Sequence, residues 1–140
     1  MSGYQHKGAT AYKGMSQYTK AADASPHQLI SMLYEGALER LNSAKGAMER
    51  KDIQAKGNMI SKTITIVEGL RAHLDQEKGG EIATNLNDLY EYMEAQLLQA
   101  NLKNDPAILE EVRGILEDLR SGWAGISEQA AALRKAETEN

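Results

Sequence analysis

The stretch "ASPHQLISMLYEGAL", residues 24–38, opens with a strong helix-start signal and runs at once into apolar residues. Ser25 stands before Pro26, and Gln28 occupies the third helical position. In such a capping box each of the two side chains accepts a hydrogen bond from the other residue's backbone N–H. Proline suits the first helical position because the N–H it lacks would have no intrahelical partner there. Behind the cap, Ile30, Leu33, Tyr34, Ala37, Leu41, Ala44 and Met48 recur at spacings of three and four. That periodicity puts them on one face and predicts a helix over 26–49. Leu29 and Met32 fall off that face, with Gly36 one turn on, so the helix is apolar on more than one side.

The same signals recur further along. Asp52 marks a second start, and Asp105 before Pro106 marks another, with Glu110 and Glu111 near the positive helix end. Gly79-Gly80 in "EKGGE" breaks the pattern, since glycine costs about 1 kcal/mol inside a helix. Helices are therefore expected near 26–49, 52–77, 80–103 and 105–133. Their core stripes read Ile53, Ile60, Ile64, Val67 and Leu74; Ile82, Leu86, Leu89, Met93, Leu97 and Ala100; and Ile108, Val112, Ile115, Leu119, Trp123, Ile126 and Ala130. Short connections make neighbours antiparallel. The expected fold is all-α, an antiparallel four-helix bundle over 25–133. A mobile or short-helical N-terminal segment (1–24) precedes it, and a frayed tail (134–140) follows.

Composition narrows the function. The 140 residues suit one domain, and a net charge of −4 with no Lys/Arg block argues against nucleic acid. Cysteine is absent, which removes disulfides and thiolate sites and fits a reducing compartment. The polar N-terminus has no apolar signal core, and no run is long enough to insert into a membrane, so a cytoplasmic location is expected. The histidines His6, His27 and His73 lack helical metal-site spacing, and no phosphate loop or nucleophile elbow occurs. No metal, cofactor or catalytic residue is expected, and the chain does not read as an enzyme. A histidine phosphotransfer bundle using His73 is the catalytic alternative. Leu74 and Asp75 follow that histidine, and a carboxylate there would repel a phosphoryl group. A structural, self-associating bundle is a further alternative.

The four stripes leave apolar residues over. Met59, Thr63, Ile66 and Leu70 form a second stripe roughly 100° around helix 2. Tyr90, Leu109 and Leu116 are placed at the margins of helices 3 and 4. Such surplus suggests a groove for an amphipathic partner helix. Tyr12, Met15 and Tyr18 in the N-terminal segment offer an internal cover for it.

At this point the residues resemble the flagellar secretion chaperones of the FliS type. The resemblance runs through "AY" at 11–12, "SPHQLISMLYEGAL" at 25–38, "LDQEKGGEIATNLNDLYEYM" at 74–93, "LLQAN" at 97–101, "DPAILEEV" at 105–112 and "LEDLRSGW" at 116–123. It implies a helical bundle without catalysis that holds the C-terminal segment of flagellin in the cytoplasm. It further implies protection against premature polymerisation and delivery to the flagellar type III export gate. The flagellin groove is expected at Met59, Ile66 and Leu70, with Tyr90, Leu109 and Leu116 at its margins. Residues 1–20 would serve as a displaceable lid carrying Tyr12, Met15 and Tyr18. The oligomeric state stays open, a homodimer included.

Overall fold

In a computed structural model, residues 24–139 are described, with side-chain surroundings through residue 126. The chain divides into two units, Met1–Ile30 and Ser31–Asn140. Of the first unit only the helix start is described. Ser25 N–H donates to Gln28 Oε1 at 2.9 Å and Gln28 N–H to Ser25 Oγ at 3.2 Å, which is the expected capping box. The lid residues Tyr12, Met15 and Tyr18 lie outside the described residues.

Four helices make up the regular structure among the described residues: α1 (Pro26–Glu49), α2 (Ile53–Ala72), α3 (Gln76–Lys103) and α4 (Pro106–Glu139). The backbone of α4 stays helical to Glu139, through the residues expected to fray. Within the Ser31–Asn140 unit, neighbours run antiparallel. Ile66 of α2 lies against Gly36 of α1, and Leu33 against Gly69. Lys56 reaches Asn101 and Asn104, while Arg71 reaches Asn87, Glu91 and Glu94. Tyr92 and Gln96 of α3 both donate to Glu111 of α4.

The core follows a seven-residue repeat. Its buried residues are Tyr34, Ala37, Leu41, Ala44 and Met48 on α1, joined off the repeat by Ala47, and Lys56, Ile60, Thr63, Val67 and Leu70 on α2. Ala83, Tyr90, Met93, Leu97 and Ala100 supply α3, and Leu109, Val112 and Leu116 supply α4. Spacings of three and four in alternation keep one seam facing inward when helices cross at about 20°. This corrects the expected stripes at several places. Ile53 and Ile82 stand exposed, and Ile126 is more than half exposed. Ile64, Leu86, Leu89, Ile108 and Ile115 are half-buried flanks of the seam. The stripes hold at Met93, Leu97 and Ala100 on α3 and at Val112 on α4, while Ala83, Tyr90, Leu109 and Leu116 are buried in place of the expected neighbours one residue earlier.

Two polar features cross this core. The Tyr34 and Tyr90 hydroxyls lie 2.6 Å apart, so one donates to the other. Burial pushes both phenols above their ordinary value of 10.0 and keeps them neutral. Thr63 satisfies its own hydroxyl by donating to Met59 O at 2.8 Å, which lets a polar residue sit in the seam.

The α1–α2 and α3–α4 turns share one plan. Lys51 has φ 61° and Asn104 φ 54°, both left-handed. Asp52 N–H donates to Ala47 O at 2.9 Å, and Asp105 N–H to Ala100 O at 3.2 Å, which satisfies the last carbonyls of each helix. Each Asp then caps the next helix, Asp52 accepting from Ala55 N–H and Asp105 from Ala107 N–H. The α2–α3 connection differs. Helix α2 ends at Ala72 rather than 77, His73 caps it, and Leu74 falls in the turn. Asp75 N-caps a first turn of α3, which then kinks at Gly80 (φ 51°, ψ −126°). That backbone is open only to glycine. A Cβ on Gly79 would come 2.7 Å from the Ala83 Cβ, so the doublet has two separate reasons.

Candidate functional site

Met59 and Ile66 remain on the outside of α2, half-buried. A Cβ on Gly36 would lie 3.6 Å from Ile66 Cδ1, so Ile66 rests on bare α1 backbone at the α1–α2 seam. The absent side chain at Gly36 keeps that seam shallow. The structure therefore brings Met59, Ile66 and Gly36 to one flank.

The other four candidates are corrected. Leu70, Tyr90 and Leu109 are each 2% exposed and Leu116 0%. They belong to the central seam, because the seven-residue repeat runs through them and not beside them. Leu70 lies directly beneath the flank occupied by Ile66, one turn away on the same helix. These residues can shape a surface from below but cannot contact a partner on it.

The α2–α3 side is polar near the end of α2. Arg71 donates to Asn87 Oδ1 at 3.1 Å, Glu94 Oε2 at 3.1 Å and Glu91 Oε1 at 2.8 Å. Glu94 Oε1 is buried and has no hydrogen-bond partner. Burial pushes the Glu94 carboxyl above the usual value of 4.5; Arg71 opposes this, and Glu68 and Glu91 add to it. His73 is exposed at the end of α2, with Nδ1 2.8 Å from Gly69 O. The described residues include no group of three His, Cys, Asp or Glu placed to hold a metal ion. None of the described helices is long and apolar enough to cross a membrane.

Sequence reasoning missed three exposed aliphatic residues, Ile53, Leu98 and Leu102. Ile53 had been assigned to the core on spacing alone. Its place directly after the Asp52 cap, ahead of the seam's first residue Lys56, was the signal available. For Leu98 the signal was the doublet Leu97-Leu98, of which a single seam can bury only one.

The described residues form a small helical bundle with an apolar flank and no group placed to hold a metal ion. A family model for the flagellar protein FliS matches residues 8–130. The flagellar secretion chaperone FliSB of Pseudomonas aeruginosa is 50% identical over 124 residues, covering 89% of this chain and 98% of its own length. The flagellar secretion chaperone FliS of Salmonella typhimurium is 50% identical over 129 residues, covering 91% and 96%. A bacterial flagellar chaperone known from its crystal structure shares the fold, with a TM-score of 0.70 at 16% identity, over 83% of this chain and 98% of that one. The chain belongs to the FliS family.

Proposed function

We propose that this protein is a non-enzymatic cytoplasmic export chaperone for flagellin. It holds the disordered C-terminal segment of flagellin, prevents premature polymerisation and assists delivery to the flagellar type III export gate. The observation that carries this reading is 50% identity to flagellar secretion chaperones across nearly the whole chain. The physics is consistent with it. A segment shaped for filament packing would self-associate if left free. Burying its apolar face on a bundle offsets the entropy lost when it orders.

Met59 and Ile66 are the proposed contacts that survive on the surface, with Leu70, Tyr90, Leu109 and Leu116 as the core behind it. Residues 1–20, with Tyr12, Met15 and Tyr18, are proposed as a displaceable cover. A cover that competes with the client lowers its apparent affinity. Calorimetric titration with purified flagellin tests the reading. The wild type should bind, and Ile66→Asp should weaken binding about tenfold or more with only a modest fall in melting temperature, as for a half-buried side chain. A stability loss as large as a core truncation, about 2–5 kcal/mol, would place Ile66 in the core instead. Deleting residues 1–20 should preserve or strengthen binding; complete loss would make them contacts and not a cover.

A further inference from the structure

Between the two left-handed turns lies a cleft of about 370 Å³, a size suited to one or two side chains. Ala47, Met48, Ile53, Lys56, Asn101 and Leu102 form most of its wall. Ile53 and Leu102 stand 74% and 79% exposed, and Leu98 lies one turn before Leu102. Single exposed aliphatic residues are ordinary on protein surfaces, but two facing each other across one cleft, with a third a turn away, are less so. Gly57 follows Ile53 by one turn, and a Cβ added there would meet nothing, so the α2 side stays open.

The rim carries a second signal. Lys51 holds φ 61°, a conformation that glycine or asparagine adopts at lower cost. Glycine would close the same turn with less strain, so the turn itself does not call for the lysine side chain. The Asp52 and Asp105 carboxylates are both occupied as helix caps. Lys56 Nζ donates to Asn101 O at 3.0 Å and Asn104 Oδ1 at 3.1 Å, so the wall of the cleft also carries a cation. The cleft is therefore aliphatic, with two cations, Lys51 and Lys56, set beside one carboxylate, Asp52, in its lining.

We propose that this cleft is an anchor socket for the chaperone's client. It takes one large aliphatic or methionine side chain of an amphipathic segment, and an acidic side chain of that segment pairs with Lys51. The socket rests on the chaperone reading and adds a binding position on the face of α2 turned away from Ile66. Purified flagellin is the probe, measured by calorimetric titration and by melting temperature of each variant alone. The double variant Ile53→Asp/Leu102→Asp should bind about tenfold or more weakly while its own melting temperature holds, because both side chains are already in water. Lys51→Gly should separate the two readouts, raising the melting temperature and weakening binding. If the double variant binds like wild type while Ile66→Asp does not, the socket is overturned and the chaperone reading stands. If the wild type fails to bind flagellin, both fall. A loss that vanishes once residues 1–20 are deleted would make the N-terminal segment the occupant. A change in sedimentation without a change in flagellin binding would make it a second copy. Either result overturns the socket.

Discussion

The two ends of the bundle are closed by different means. At one end, Lys51-Asp52 and Asn104-Asp105 each reverse the chain within a few residues, and the buried Lys56 ammonium ties α2 to the last turn of α3. At the other, the passage from α2 to α3 needs the His73 and Asp75 caps and then a kink at Gly80. The first end is secured by side chains with all their partners in place. The second relies on backbone that only glycine can supply, and near it Arg71 leaves one oxygen of Glu94 without a partner. Polar groups inside a bundle can therefore lock it or leave slack, depending on whether every hydrogen bond is made.

The sharpest way to break this contrast is Lys56→Met, which keeps the buried stem and removes the ammonium. Two hydrogen bonds from a charged donor disappear and a buried carbonyl loses its partner, so denaturant unfolding should show a loss of about 3 kcal/mol. A loss under about 0.5 kcal/mol would mean that the left-handed turns hold that end unaided. Gly80→Ala attacks the other end and should cost about 2 kcal/mol, because a Cβ is strained at that backbone angle. Amide exchange should then rise in the first turn of α3 before it rises elsewhere; uniform acceleration would show that the kink is not a separate weak point.

The smallest effect concerns Glu94. Its folded carboxyl is raised above 4.5, chiefly by burial. The stabilising contribution of such a group is complete below the unfolded value and is lost as pH rises through the folded one. Glu94→Gln should accordingly gain melting temperature relative to wild type between about pH 4 and pH 7. The opposite trend would show that attraction to Arg71 outweighs burial.

Much of the frame was legible because caps and punctuation are local. Ser25-Pro26, Asp52, Asp105 and the glycine doublet are each readable from a few neighbouring residues, and α1 begins and ends where expected. The site was less legible because a surface is defined by what neighbouring helices leave uncovered. Periodicity places Leu109 and Ile108 on overlapping faces, and only the partner helices decide that Leu109 is central. Leu70 looked like surplus because it was grouped with Met59, Thr63 and Ile66, whereas Leu70 and Thr63 share the buried seam with Lys56, a residue that a hydrophobic pattern skips. Lys56 is buried only because two acceptors on another helix meet it, and that arrangement leaves no mark in its own neighbourhood.

The repeated turn plan carries a consequence for the order of assembly. Residues 31–72 and 81–126 each contain two helices joined by a left-handed residue and a capping aspartate, so each half is built from contacts close in sequence. Local contacts form early and at low entropic cost, and the α2–α3 pairing is as local in sequence as the α3–α4 pairing. Folding should then start at the two tight turns, which need no kink. Substitutions at Asp52 and Asp105 would slow refolding, while Arg71→Ala would chiefly hasten unfolding, a division that paired folding and unfolding rates would reveal.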